Sequence, residues 1–105
     1  MKIINEKNYS IIEIDDASRL DQFLNSLNES SIQEKNLIIN AIKSNTSIRW
    51  LSEKLLPFHY IWQKRNKSFI LVSSIKGELL KDMVVIASLE EAIDFFHMDY
   101  LTRNI

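Results

Sequence analysis

The sequence predicts an α/β fold, with one mostly parallel sheet of about five strands and helices packed on it. Three observations predict it. Short runs rich in β-branched and aromatic residues alternate with longer runs of helical period, the order expected of parallel strands joined by right-handed crossovers. The run at 36–42 has a near-continuous apolar centre, Leu37-Ile38-Ile39, as a strand covered on both faces does. The last third of the chain, 68–100, reads as strand, turn, short helix, strand and helix, with a signal at each boundary.

In order, 2–5 is a short extended segment, and the polar 5–8 stretch makes a turn into 9–14 (YSIIEI). These two form an N-terminal hairpin. Ile12 and Ile14 share one face of the second strand, and Tyr9 and Ile11 the other. Both faces are apolar, which predicts cover on both sides. Asp15-Asp16-Ala17-Ser18 opens a helix, since acidic side chains accept from the free backbone N–H groups there. Leu20, Phe23, Leu24 and Leu27 continue it as an amphipathic stripe. After the strand at 36–42, Thr46 or Ser47 caps a long helix over 48–65. Its stripe is Ile48, Leu51, Leu55, Phe58 and Trp62. Pro57 lies inside it and predicts a kink or break near Phe58.

The strand at 68–74 (SFILVSS) follows. A loop with one helical turn spans 75–81, and a short strand 83–86 (MVVI) comes next. Ser88 followed three residues later by Glu91 is the capping-box spacing. Leu89, Ala92, Ile93 and Phe96 then carry a helix to about Leu101. The order is β-β-α-β-α-β-(α)-β-α.

Composition bounds what such a domain does. The 105 residues fit one domain over 1–105, and 46% apolar content is that of a globular chain. Thirteen basic and fourteen acidic side chains leave a formal charge of -1, so no general field draws nucleic acid or anionic lipid. The absence of cysteine removes thiolate metal sites and cysteine nucleophiles and suits a reducing cytoplasm. No apolar run reaches the roughly 20 residues that span a bilayer, and the N-terminus lacks an apolar leader core. A cytoplasmic protein bound to neither membrane nor nucleic acid is expected. One Gly, Gly77, and one Pro, Pro57, exclude glycine-rich phosphate loops.

Chemistry-bearing constellations are sparse. His59 and His97 are the only histidines. Neither has a second ligand at metal spacing, and each reads as a surface or helix-end residue. Asp15-Asp16 and Glu90-Glu91 sit at helix starts, where capping explains them better than acid–base work. Lys64-Arg65-Asn66-Lys67, near Tyr60 and Trp62, has the composition of a nucleic-acid contact but the position of a solvated helix end. No catalytic residue, metal or cofactor is assigned.

Three stretches together resemble the STAS domain, the fold of bacterial anti-sigma-factor antagonists. They are the opening hairpin, the strand–helix–strand over 36–74, and the closing Val84-Val85-Ile86-Ala87-Ser88-Leu89-Glu90-Glu91-Ala92-Ile93. The resemblance covers nearly the whole chain as a pattern. Signalling members carry Asp-Ser-Ser/Thr-Gly where the third strand meets the long helix, and a kinase phosphorylates its hydroxyl. This chain reads Asn45-Thr46-Ser47-Ile48-Arg49-Trp50 there, without the Asp or the Gly. The resemblance implies a regulatory protein-interaction module, with Thr46, Ser47 and Ser52 as the hydroxyls nearest the switch position.

The long helix bears on the same reading. Trp50, Leu56, Tyr60 and Ile61 fall off its main stripe, and a helix apolar on several sides is covered by something. Either a turn at Pro57 buries them within the chain, or a protein partner does. Phe95 beside Phe96 leaves one of that pair to face outward as well. Two alternatives stand beside a partner: a structural homodimer using Trp50, and a small-ligand domain using the strand ends near residues 73–76.

Overall fold

A computed structural model gives the fold and describes residues 2–15, 20–44, 47–74 and 83–103, the side chain of Ile48 excepted. The elements are β1 (Lys2–Asn5), β2 (Tyr9–Glu13), α1 (Leu20–Ser26), α2 (Ser30–Gln33), β3 (Asn36–Asn40), α3 (Ile48–Lys64), β4 (Phe69–Val72), β5 (Val84–Ile86) and α4 (Leu89–Arg103). The strands form one sheet in the order β1-β2-β3-β4-β5. β1 and β2 are the antiparallel hairpin, and every later pairing is parallel. The expected turn at 75–81 and the expected helix opening at 16–18 lie outside the described residues.

Register explains why the strands are apolar on both sides. One rung crosses the sheet as Ile3, Ile12, Ile39, Leu71 and Val85. The next crosses as Ile4, Ile11, Ile38, Ile70 and Val84. Successive side chains of a strand point to opposite faces, so each rung feeds a different core. Ile12, Ile14, Ile39 and Leu71 pack with Leu20, Phe23, Leu27, Leu51, Leu55 and Trp62, which belong to α1, α3 and the turn after α1. Ile11, Ile38, Ile70 and Val72 pack with Ala92 and Phe96 of α4. One face therefore carries several helices, and the other carries α4. The division of Tyr9 and Ile11 from Ile12 and Ile14 is the one expected.

Two features of the helices were not set by the sequence pattern, and the second departs from the expected kink. α1 ends at Ser26, and the polar stretch beyond it forms a separate single turn, α2. α3 runs unbroken through Pro57. The backbone bond lost at proline is the one to the Glu53 carbonyl, four residues earlier. Pro57 and Glu53 are both exposed, so the lost bond falls on the solvent side of α3.

α3 stops in a Schellman motif. Lys67 N–H donates to the Trp62 carbonyl and Asn66 N–H to the Gln63 carbonyl, each at 3.0 Å. Asn66 takes the left-handed conformation, φ 57°, in a chain whose only glycine lies elsewhere. The turn delivers the chain directly into β4.

Candidate functional site

α3 presents two kinds of surface. Its inward side is wider than the apolar stripe alone. At about 100° per residue, Ser52 and His59 fall on the edge of the arc that holds Leu51, Leu55 and Trp62. All five are buried. This corrects the surface reading of His59, whose ring lies 5.5 Å from that of Tyr60 and 6.3 Å from that of Phe69 by centroid. His97 is exposed, as expected, and meets the Tyr9 ring edge-on at 5.8 Å.

Ser52 is fully buried and donates its hydroxyl to the Arg49 carbonyl at 2.9 Å. A kinase would have to pull α3 off the sheet to reach it, so Ser52 is removed from the candidate switch hydroxyls. Thr46 lies outside the described residues. Ser47 is exposed and is the N-cap of α3, its hydroxyl accepting from Trp50 N–H at 3.4 Å. Arg49 beside it pairs with Glu53 at 3.5 Å on the surface.

The four off-stripe apolar residues divide two and two. Leu56 and Ile61 are half-buried and pack against the core beneath α3. Trp50 and Tyr60 stand 39% and 42% exposed. The Lys54 ammonium lies 5.7 Å from the Trp50 ring centre, near enough for a cation–π contact. The outward face of α3 is thus two amphipathic aromatics set among charged side chains.

α4 also shows a second apolar side. Phe95, Met98 and Leu101 are 39%, 71% and 64% exposed, while Phe96 is wholly buried. Of the adjacent phenylalanines, Phe95 is therefore the outward one.

The parallel strands begin in a polar cluster that the sequence did not reveal. Asn36 donates through Nδ2 to the Asn8 carbonyl at 2.9 Å and accepts at Oδ1 from Ser68 N–H at 2.8 Å. The Ser68 hydroxyl donates to Asp99 Oδ2 at 2.8 Å. Arg103 pairs with the same Asp99 oxygen at 3.2 Å and donates to the Ser68 hydroxyl and the Asn66 carbonyl. Trp62 Nε1–H donates to the Lys35 carbonyl at 2.8 Å. With its ring in the core, Trp62 is unavailable for stacking on a base, so the basic run 64–67 loses one of its two neighbouring aromatics.

Clefts of about 330, 260 and 240 Å³ open around this cluster. The largest is lined by His59, Ser68, Phe69, Phe95, Asp99 and Arg103 among others. Ser68, Asp99 and Arg103 bond to one another, which makes the cluster a clamp between the end of α4 and the starts of β3 and β4. At the opposite strand ends, where the small-ligand alternative puts its crevice, residues 75–76 lie outside the described residues, and Ser73 N–H donates to the Ile86 carbonyl at 3.0 Å. Burial, helped by the charge of Glu6, raises the Tyr9 hydroxyl above its ordinary pKa, so Tyr9 stays neutral where it packs on Phe96 at 4.9 Å.

Among the described residues, no group of three or more His, Cys, Asp or Glu is placed to hold a metal ion. Among the same residues, no helix is long and apolar enough to cross a membrane. No protein-family model matches the chain, and no curated protein matches it.

Proposed function

We propose that this chain is a non-enzymatic protein-interaction module with a regulatory role of the anti-sigma-factor-antagonist kind, and that it engages a protein partner through the outward face of α3. The observation that carries this reading is the exposure of Trp50 and Tyr60 on the longest helix. Tryptophan and tyrosine are the residue types that most often dominate binding energy, because each buries a large rigid ring while its polar edge stays bonded. Half-buried Leu56 and Ile61 give that face an apolar floor, and Arg49, Glu53 and Lys54 give it a charged rim.

Ser47 is the switch in this reading. A phosphate there adds roughly -1.5 to -2 charges at the first turn of α3. The helix N-terminus favours the charge, and Arg49 is close enough in sequence to leave Glu53 for it. The same charge lies one helical turn from Trp50 and penalises burial of the ring under a partner. Phosphorylation therefore strengthens the helix start and ejects the partner.

Photo-crosslinking in the host cell tests both parts. A benzophenone side chain at position 60 is expected to give one discrete heterologous adduct, lost with Trp50→Ala and weakened with Ser47→Asp. A folded protein that gives no adduct from position 60, or an adduct indifferent to Trp50→Ala, sinks the proposal. If the adduct forms but mass spectrometry finds no phosphate on Ser47 in any growth condition, the switch fails while the docking face stands.

A further inference from the structure

We propose that β1, the open edge of the sheet, pairs with β1 of a second copy of this chain, antiparallel, with Ile4 on the two-fold axis. The inference is independent of the docking face on α3, which packs over β4, three strands away.

β1 ends the sheet, and no described strand lies beyond it. All four of its residues are exposed or half-buried, and Ile3 is 46% exposed. Backbone parity fixes which of its groups face outward. Glu6 N–H donates to the Tyr9 carbonyl at 2.9 Å, so positions 6 and 9 form a hydrogen-bonded pair. The register then makes Ile4–Ile11 and Lys2–Glu13 the other bonded pairs, with Ile3 and Asn5 between them. The bond from Ile14 N–H to the Asn40 carbonyl, 2.9 Å, agrees: even-numbered residues of the second strand turn to β3, odd-numbered ones to β1. The N–H and C=O groups of Ile3 and Asn5 therefore point away from β2, where a further strand can take them.

Charge selects that strand. An antiparallel copy sets outward residues against outward residues, so Ile3 meets Asn5 of the copy and Ile4 meets Ile4. The same register puts Lys2 of each copy opposite Glu6 of the other, at both ends of the contact. Lys2 and Glu6 are exposed, and by alternation they share the face on which Ile4 packs with the α4 core. They meet in non-hydrogen-bonded pairs, where side chains stand closest. A shift of two residues, the smallest that keeps parity, sets Lys2 opposite position 4 or 8 and loses both ion pairs. A parallel copy sets Lys2 beside Lys2 and Glu6 beside Glu6. Glu13, the neighbour of Lys2 across the hairpin, is held by Lys43 at 3.4 Å. An edge lysine ordinarily deters strand pairing, and here Glu6 of the copy answers it.

The contact is isologous and closes at two subunits, with one sheet continuous across the axis. α4 packs over β3, β4 and β5, so it does not stand in the way of a copy at β1. The joining strip is about 17 Å long and about 10 Å wide, well short of the roughly 800 Å² that each partner gives a stable interface. The dimer is weak, and its population depends on concentration.

The chain contains no cysteine, so one introduced thiol reports without interference. Two Ile4 positions on the axis lie about 4.5 Å apart by Cα, within disulfide range, whereas two Ile3 positions lie diagonally, about 7–8 Å apart and beyond it. Under mild oxidation, Ile4→Cys is expected to couple at least about tenfold faster than Ile3→Cys, although Ile3 is the more exposed. Sedimentation of the native chain from about 1 μM to about 1 mM is expected to show monomer passing to dimer. Ile3→Pro removes an outward N–H without touching the bonds to β2, and it is expected to stay monomeric. Lys2→Glu is expected to weaken the dimer about tenfold, and adding Glu6→Lys to restore it, which separates lost pairing from lost folding. The proposal is overturned if Ile3→Cys couples as fast as Ile4→Cys, or if the double charge exchange pairs no better than Lys2→Glu alone. A native chain that stays monomeric throughout also overturns it, and gives the edge to an extended segment of a different protein.

Discussion

Asn36 spends its amide on two segments far away in sequence, the Asn8 carbonyl and the Ser68 N–H. It is buried, and so is Ser68. Removing the amide strands a donor and an acceptor at the start of the sheet, and a buried polar group left unpaired costs about 1–3 kcal/mol. Asn36→Ala is therefore expected to lower unfolding stability by about 2–4 kcal/mol, since two groups lose partners. Urea denaturation checks this, with a lower midpoint at an unchanged slope. Ser68→Ala is expected to cost less, because Arg103 still pairs with Asp99. A loss under about 0.5 kcal/mol for Asn36→Ala, the range of an ordinary surface change, would mean that water replaces the amide at once. None of this was legible in the chain. Asn36 and Ser68 stand at the starts of strands, where polar residues are ordinary, and nothing local says that they meet each other or Asp99 and Arg103. Such pairings depend on sheet order, and sequence pattern alone left that order open.

At the scale of the element, periodicity carried most of the information. Strand runs alternate, so the two cores could be assigned for Tyr9, Ile11, Ile12 and Ile14 before any geometry was known. The α3 stripe was equally plain in Leu51, Leu55 and Trp62. Ser52 and His59 were misread because polar residues were counted outward by type, although their angles place them on the edge of the buried arc. Pro57 was misread for a different reason. Proline in a helix interior costs about 3 kcal/mol, which raises the expectation of a break, but tertiary packing of Leu51, Leu55 and Trp62 holds both halves of α3 in line. That cost is still present in the fold. Pro57→Ala restores the backbone bond to Glu53 at an exposed position, and it is expected to raise stability by about 1–3 kcal/mol. Thermal unfolding of the variant measures it. A lower midpoint would show that the proline sets a bend that the α3–sheet packing requires.

At the scale of the molecule, the two apolar surfaces lie on opposite faces of one sheet. α3 packs over the Ile12, Ile39 and Leu71 rung, and α4 packs over the Ile11, Ile38 and Ile70 rung. A partner seated on the outward face of α3 therefore leaves the solvent side of α4 untouched. The chain's two tryptophans make this arrangement measurable. Trp62 is fully buried, and Trp50 is exposed on α3. Acrylamide is therefore expected to quench one class of emission and spare the other. Without a partner, the quenchable fraction is expected to stay constant from about 1 μM to about 1 mM of chain. If copies of the chain instead meet through α3, burial of Trp50 removes the quenchable class as concentration rises. The same titration with the partner present is expected to protect Trp50 at every concentration, because the exposed ring then lies beneath the partner.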